Sequence, residues 1–531
     1  MRIKWGHLFL IVLLCTACLL GPVTSVEAAQ GPNAVDLKIL ALNDLHGQLN
    51  VSQQIEGQEA GRADYLAAYI KEREKNHKHV WKVHQGDMVG ASAPISSLLQ
   101  DEPTIEVLNK LKFDVGTVGN HEFDEGVDEM FRLIYGGTHE KTGYFKGANF
   151  PYTVANVVWK DSGKTILPSH HIKRVQGIPV GFIGVVTKST PSIVMPEGVK
   201  DVEFLDETES INREVKKLKK KGVKAIIVLA HEGGTQNTAT GEMTGPIVDI
   251  AKGVDEEVDL ILAGHSHRYL NGTVDGKLIV QAYSSGTAFA EVDLKLDKRT
   301  RDITHKEAEV VTTFHSGMKP DRRIARMVAK YEEIVAPIIN EEIAQAGQTI
   351  SREPNEAGES ALGNLVADAQ RQRMDTDFAF MNPGGIRADI REGTVTWGDL
   401  YNVQPFGNEL VTMTLTGDQI KRLLEQQWQD GRTRFLQISG LTYTWDPSRS
   451  HGDRVLDIRK ADGTVVEADT AYTVTANRFI ATGGDGFTVF TEATDQVVGP
   501  VDLQALIDYI RQLPQPFSYE IEGRITRINP S

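Results

Sequence analysis

Five short stretches place oxygen and imidazole donors directly after apolar runs. They are Asn43-Asp44-Leu45-His46-Gly47, Gly86-Asp87, Gly119-Asn120-His121-Glu122-Phe123-Asp124, His231-Glu232-Gly233-Gly234 and Gly264-His265-Ser266-His267. Carboxylate, amide and imidazole together suit Mn²⁺, Zn²⁺, Co²⁺ or iron better than a purely soft or purely hard set. Each stretch alone is weak, because Gly-Asp is usually a turn and a lone histidine after a strand is usually a hydrogen-bonded loop or core residue. Of the 15 histidines in the chain, ten fall outside these motifs, His77, His79 and His84 among them, and need no catalytic role. What carries weight is the ordered set. Strands of one sheet end along a common rim, so loops distant in sequence converge there, and glycine lets backbone approach a cation without a side-chain clash. Alternation puts Asp44 and His46, or His265 and His267, on the same side of an extended segment.

The elements that must hold these loops are short and apolar. Leu37 to Leu42, Ala225 to Ala230 and Leu260 to Ala263 read as buried strands, and Glu209 to Lys221 reads as a helix between them. Mixed sheets with helices packed outside follow. From Pro320 to about Ala344 the pattern is helical: Asp321 can cap the start, and Ile324, Val328, Tyr331, Val335 and Ile338 recur at helical spacing. Pro337 is expected to kink or end a turn. A long helix between two composition patterns suits a domain connector. Beyond Gly347 a helix from Leu362 to Arg371 is followed by strand-like runs and glycine turns.

A chain of 531 residues is too long for one ordinary core, so two large domains are expected. With 40% hydrophobic and 24% charged residues it reads as soluble and globular. The net charge of −15 leaves no broad basic face, which argues against polymeric nucleic acid but not against a small phosphorylated substrate. Arg2 and Lys4, the apolar run Leu8 to Leu20 and the small residues Val26-Glu27-Ala28-Ala29 read as an export signal, cleaved after Ala28 or Ala29. The mature protein is then secreted or otherwise extracytoplasmic, with cell-surface association open to it. Lipidation at Cys18 is the alternative reading. Both cysteines, Cys15 and Cys18, lie within the signal, which excludes disulfides and thiolate-bound metal from the mature chain. No later segment is apolar enough to form a transmembrane segment.

The five motifs, in this order, resemble the calcineurin-like metallophosphoesterase superfamily, and their spacing resembles its 5′-nucleotidase branch, in the bacterial exported type. The resemblance covers nearly the whole mature chain. It implies an α/β (α+β) protein: an N-terminal four-layer metallophosphoesterase β-sandwich flanked by helices, a connecting helix, and a C-terminal α/β nucleotidase domain. The expected limits are a signal peptide at 1–28, the metallophosphoesterase domain at 36–315, the connecting helix at 316–346 and the substrate-binding domain at 347–531. It also implies two divalent metal ions per chain, drawn from Mn, Zn, Co, Fe or Mg. One is held by Asp44, His46, Asp87 and His267, the other by Asp87, Asn120, His231 and His265, with Asp87 bridging. Some nucleotidases carry Gln where His267 stands. His121 resembles the family's catalytic histidine rather than a ligand, and Asp124 is placed to accept a hydrogen bond from its ring. Two such ions clamp phosphoryl oxygens and activate water for in-line attack.

In the second half, Asn382-Pro383-Gly384-Gly385-Ile386-Arg387 surrounds a glycine pair with polar groups, and Arg387 can grip phosphate bidentately. Gln404-Pro405-Phe406-Gly407-Asn408, and Asn477-Arg478-Phe479 followed by Gly483-Gly484-Asp485-Gly486, each supply one aromatic ring. Two rings can sandwich a base, and Asp485 can accept hydrogen bonds from ribose. Phenylalanine is usually core, but core strands seldom need so many glycines. The resemblance carries Asn382, Arg387, Phe406, Asn408, Phe479 and Asp485 over as substrate contacts and implies rotation of the C-terminal domain about the connecting helix. One departure is Ala361, just before the helix containing Gly363-Asn364-Leu365, where some relatives have arginine. The expected reaction is hydrolysis of a nucleoside 5′-monophosphate to nucleoside and phosphate. The alternatives are a 2′,3′-cyclic-nucleotide phosphodiesterase, a UDP-sugar or NAD hydrolase with the same metal centre, and a non-catalytic nucleotide-binding surface protein.

Overall fold

Three parallel strands, β1 (Ala34–Leu42), β2 (Val80–His84) and β3 (Val115–Gly116), open a first sheet in this computed structural model. The structure describes residues 33–429 and 431–528, so the export signal expected at 1–28, with Cys18, lies outside the described residues. The chain next crosses to a second sheet and lays down β4 (His171–Val175), β5 (Ile178–Val186), β6 (Ala225–His231), β7 (Val258–Ala263), β8 (Tyr269–Val274) and β9 (Lys277–Ala282). It returns with the antiparallel pair β10 (Ala288–Asp297) and β11 (Ile303–Thr312). The sheet orders are β11-β10-β1-β2-β3 and β8-β9-β7-β6-β5-β4.

Alternation explains why these strands are apolar on both faces. In β1, Val35, Leu37, Ile39 and Ala41 point into the space between the sheets, while Leu40 and Leu42 join an outer core. In β6, Ala225, Ile227 and Leu229 point inward, while Ile226, Val228 and Ala230 pack under Ile211, Val215 and Leu218 of the Glu207–Lys220 helix. Helix, sheet, sheet, helix: the four expected layers are present. Each large apolar side chain buried this way contributes ~1.5–3 kcal/mol relative to exposure.

The helix read across 316–346 runs only from Arg322 to Ile339. Asp321 caps it, accepting from Arg323 N and Ile324 N at 2.9 and 3.2 Å. Pro337 lies inside it, two residues before its end, so the helix runs on past the bond to the preceding turn that proline removes. Ile324, Val328 and Tyr331 pack into the N-terminal core. Glu342–Ala346 is a strand instead, paired with Gly393–Thr396.

Beyond it, β12 (Phe378–Met381), β13 (Glu409–Thr416), β14 (Gln437–Ser439), β15 (Ala471–Asn477) and β16 (Thr494–Val501) form a mixed sheet ordered β14-β12-β15-β13-β16. The Ala361–Met374 and Asp502–Gln512 helices pack together on one side of it. Among the described residues, no helix is long and apolar enough to cross a membrane.

Candidate metal centre and substrate cleft

The motifs sit where the parallel strands stop. Asp44 and His46 follow β1, Asp87 follows β2, Asn120 and His121 follow β3, His231 ends β6, and His265 and His267 follow β7. Their donor atoms converge in two adjoining groups, Asp44 with His46 and His267, and Asp87 with His231 and His265, and His46 and Asp87 form a third group with His121. His46 Nε2 lies 3.1 Å from His267 Nε2 and 3.9 Å from Asp87 Oδ2, and His267 Nε2 lies 3.4 Å from Asp44 Oδ1. In the second group, His231 Nε2 is 3.0 Å from Asp87 Oδ2 and 3.1 Å from Asn120 Oδ1, which is itself 2.9 Å from His265 Nδ1. Asp87 faces both groups.

Neighbouring backbone fixes which ring nitrogen points inward. His46 Nδ1 lies 2.9 Å from Gly90 O and His231 Nδ1 2.8 Å from Gln85 O, so each Nδ1–H donates to a carbonyl and each Nε2 faces the centre. Burial holds His46 down to about 3 and His265 down to about 4, so both rings are neutral. Burial also works against charge on Asp44 and Asp87, yet His267 beside the first and His231 beside the second keep both carboxylates ionised. Burial opposes charge on His231 too, but Asp87 outweighs it and raises the pKa to about 10, so a cation taken up there would displace that proton. Imidazoles and ionised carboxylates facing one another are the donor set a divalent cation requires.

Local conformation shows the same constraint. Asp44, His46, Asp87, His265 and His267 have φ of 50°, 50°, 51°, 71° and 55°. Non-glycine residues seldom occupy this left-handed region, and each such residue costs about 1–3 kcal/mol unless its surroundings over-determine it. At Gly119 the approach is closest: an added Cβ would stand 2.2 Å from Asp87 Oδ1 and 2.7 Å from His231 Cε1.

His121 faces the cleft above this centre. Its backbone N donates to Asp87 Oδ1 at 2.9 Å, and its Nδ1 lies 2.7 Å from Asp124 Oδ2. Burial opposes charge on the ring, but Asp124 and Asp87 outweigh it and raise the pKa.

The C-terminal half forms the opposite wall. A cavity of ≈ 320 Å³ is lined by Asp87, Asn120, His121, Asp124, His265 and His267 on one side and by all six C-terminal candidates on the other. Phe406 lies nearly parallel to His121, with centroids 6.0 Å apart and planes at 17°, and the Arg387 guanidinium lies 5.9 Å from the Phe406 centroid. Asn382 is tied into the pocket wall, donating to Asp485 Oδ2 at 2.8 Å and accepting from Asn477 Nδ2 at 2.9 Å. Phe479 crosses over Gly484, where a Cβ would meet its ring at 2.5 Å. Asn408 lines the same cavity, and its carbonyl accepts from Asp502 N at 2.8 Å.

Three contributions escape sequence reasoning. Glu122 was part of a motif without a role; its buried carboxylate accepts from Asp87 N, Met88 N and Gly119 N, at 2.9, 2.9 and 2.5 Å, clasping two ligand loops together. Ile193, Val194 and Met195 supply an apolar wall of the cavity from a loop that carries no motif. Arg352 stands close enough to Arg387 to lower its pKa, after burial itself, so a second guanidinium faces the site despite Ala361.

A double-sheet sandwich with cation donors along its carboxyl rim, covered by a second domain, defines a metal-dependent phosphoesterase. The calcineurin-like phosphoesterase family matches residues 37–269, and the 5′-nucleotidase C-terminal domain matches residues 337–492. The chain belongs to the 5′-nucleotidase family of calcineurin-like phosphoesterases. It is 44% identical to the Bacillus subtilis endonuclease YhcR over 92% of this chain, but spans only 41% of that protein. It is 37% identical to the Listeria monocytogenes cell wall protein Lmo0130, over 96% of this chain and 71% of the relative. Among solved structures, the 5′-nucleotidase precursor from Thermus thermophilus superposes with a TM-score of 0.80 at 28% identity, covering 94% of this chain and 100% of that one.

Proposed function

We propose that this chain is an extracytoplasmic 5′-nucleotidase that hydrolyses nucleoside 5′-monophosphates to nucleoside and phosphate. The observation that carries the reading is the pairing of His121 with Phe406 across one cleft: the group nearest the cation donors touches the group suited to a nucleobase.

The residues divide the work. Asp44, His46, Asp87 and His267 hold one divalent cation, and Asp87, Asn120, His231 and His265 hold a second. Such ions supply Lewis acidity toward the phosphoryl group and activate water. With Nδ1–H donated to Asp124, the His121 Nε2 is free to donate to a phosphoryl oxygen or to the departing ribose oxygen. Arg387 binds phosphate, Phe406 and Phe479 stack on the base, and Asn382, Asn408 and Asp485 hydrogen-bond the nucleoside. Because cation donors and base contacts come from different halves of the chain, relative motion of the two admits substrate and releases product.

The extracytoplasmic assignment rests on Arg2, Lys4 and the apolar run that follows, and is in keeping with a cell wall relative. The test is phosphate release across a panel of nucleoside monophosphates, after chelation and after readdition of Mn²⁺, Zn²⁺, Co²⁺ or Mg²⁺. Release that survives complete chelation sinks the metal assignment. Hydrolysis of an aryl phosphate without preference for nucleotides sinks the substrate assignment.

A further inference from the structure

A net charge of −15 conceals a local reversal. Between Arg213 and Lys224, seven of twelve residues are Lys or Arg, and Glu214 alone is acidic. The stretch closes the Glu207–Lys220 helix and turns into β6, a strand of 7 residues that carries His231 at its other end. At ~3.3 Å per residue the cations stand about 20 Å from the candidate metal centre, on the opposite rim of the sandwich.

Other loops bring more cations to that rim, because the parallel strands that end at the cation donors all start there. Lys75 precedes β2, Lys112 precedes β3, and Arg174 stands beside the turn from β4 into β5. Register places Arg174 and Lys224 on either side of Pro179. Gln176 Nε2 donates to His79 Nε2 at 2.9 Å, and Lys173 pairs with Asp114 Oδ1 at 2.9 Å, so the edges of the two sheets meet here. The cations therefore share one surface.

Little inside the protein uses them. Glu214 answers Lys217 at 2.7 Å and Asp255 answers Lys219 at 3.0 Å. Lys75, Lys112, Arg174, Lys216, Lys220 and Lys224 are exposed and enter no ion pair among the described residues. Lysines in a last helical turn offset the helix dipole, but Arg174 and Lys224 lie on no helix. No aromatic residue interrupts Arg213 to Lys224, so the surface lacks the stacking groups that single-stranded nucleic acid favours. Five of the six unpaired cations are lysines, point charges suited to a diffuse field of phosphates rather than to one bidentate partner. β1 also begins on this rim, at Ala34, so the segment carrying Cys18 joins the fold at the same face.

We propose that this basic rim docks the protein on an anionic phospholipid bilayer, with the cation donors and the substrate cleft facing away from it. Acidic groups elsewhere stand farther from such a surface than the Debye length of about 8–10 Å, so the total charge does not cancel the local attraction. The inference goes beyond the nucleotidase reading and does not depend on it.

Vesicles of phosphatidylglycerol with phosphatidylcholine are the probe, against phosphatidylcholine alone. Co-sedimentation is expected with the anionic vesicles only, and is expected to fade as salt rises. Lys216→Gln with Lys220→Gln and Lys224→Gln should weaken it about a hundredfold, near fivefold for each lysine, and leave AMP hydrolysis unchanged. Lys319→Gln with Lys330→Gln and Lys421→Gln removes the same charge from other exposed positions and should hold binding within about twofold. Lysine acylation read by mass spectrometry gives the orientation: vesicles should protect Lys216, Lys220 and Lys224 but not Lys330 and Lys421. The proposal is overturned if anionic vesicles are ignored at low salt, if both triple variants lose binding equally, or if both lysine sets are protected alike. Tighter binding to duplex DNA than to vesicles at equal phosphate assigns the rim to nucleic acid and overturns the bilayer. Protein that binds vesicles but leaves AMP intact overturns the nucleotidase reading alone.

Discussion

The ring of His121 and the ring of Phe406 lie 6.0 Å apart at 17°, one from the loop after β3 and the other from the loop before β13. Neither domain alone assembles this stack. Replacing each partner should therefore fail in a different way.

His121→Ala leaves the seven cation donors in place. Metal content, measured by elemental analysis, is expected to stay at the wild-type level, while kcat for AMP falls ~10²–10⁴-fold, the usual scale of a positioned general acid. Full retained turnover removes the catalytic role.

Phe406→Ala with Phe479→Ala removes the stacking surfaces and leaves the centre untouched. Each base–ring stack is worth ~1–3 kcal/mol, so KM for AMP is expected to rise tenfold or more. KM for p-nitrophenyl phosphate should move far less. An equal rise for both substrates speaks against a base site.

Glu122 acts through the backbone of the Asp87 and Gly119 loops. Glu122→Ala strands three N–H groups whose desolvation costs about 1–3 kcal/mol each. Weaker metal retention in chelator competition and a lower Tm are both expected. Gly119→Ala attacks the same junction sterically and is expected to lose metal as well. Unchanged metal affinity in both variants contradicts the brace.

Asp502 opens the Asp502–Gln512 helix, outside the set of cation donors, and burial pushes its pKa up to about 7. Between the ordinary carboxylate range and about 7, the unfolded chain has released this proton while the folded chain keeps it. Stability therefore falls as pH rises through that window and levels off above it. Asp502→Asn removes the slope, so its urea midpoint should gain on wild type between about pH 5 and about pH 8. Parallel pH curves for the two proteins refute the assignment.

What was legible in the sequence follows from local physics. Ala225 to Ala230 and Leu260 to Ala263 are apolar on both faces, so they read as buried strands, and the polar residues beyond them mark the rim. Asp321 reads as a cap because its side chain bonds locally. The rest depends on distance in the chain. Strand order across two sheets leaves no local trace, so the convergence of Asp44 with His267 came from resemblance. Ile193 and Met195 look like any apolar loop residues until the other domain is opposite them. The three acceptor contacts of Glu122 involve backbone, which no side-chain pattern reveals. Pro337 reads as a kink or stop, yet the helix continues through it to Ile339.

The left-handed conformations of Asp44, His46, Asp87, His265 and His267 carry a further consequence. Glycine would adopt each of them more readily, so on backbone grounds alone a chain freed from its chemistry would drift toward glycine at all five. Stability and activity thus pull these positions in opposite directions. A screen that selects only for thermal resistance should enrich inactive glycine variants at the rim, making the catalytic centre the first casualty of stabilisation.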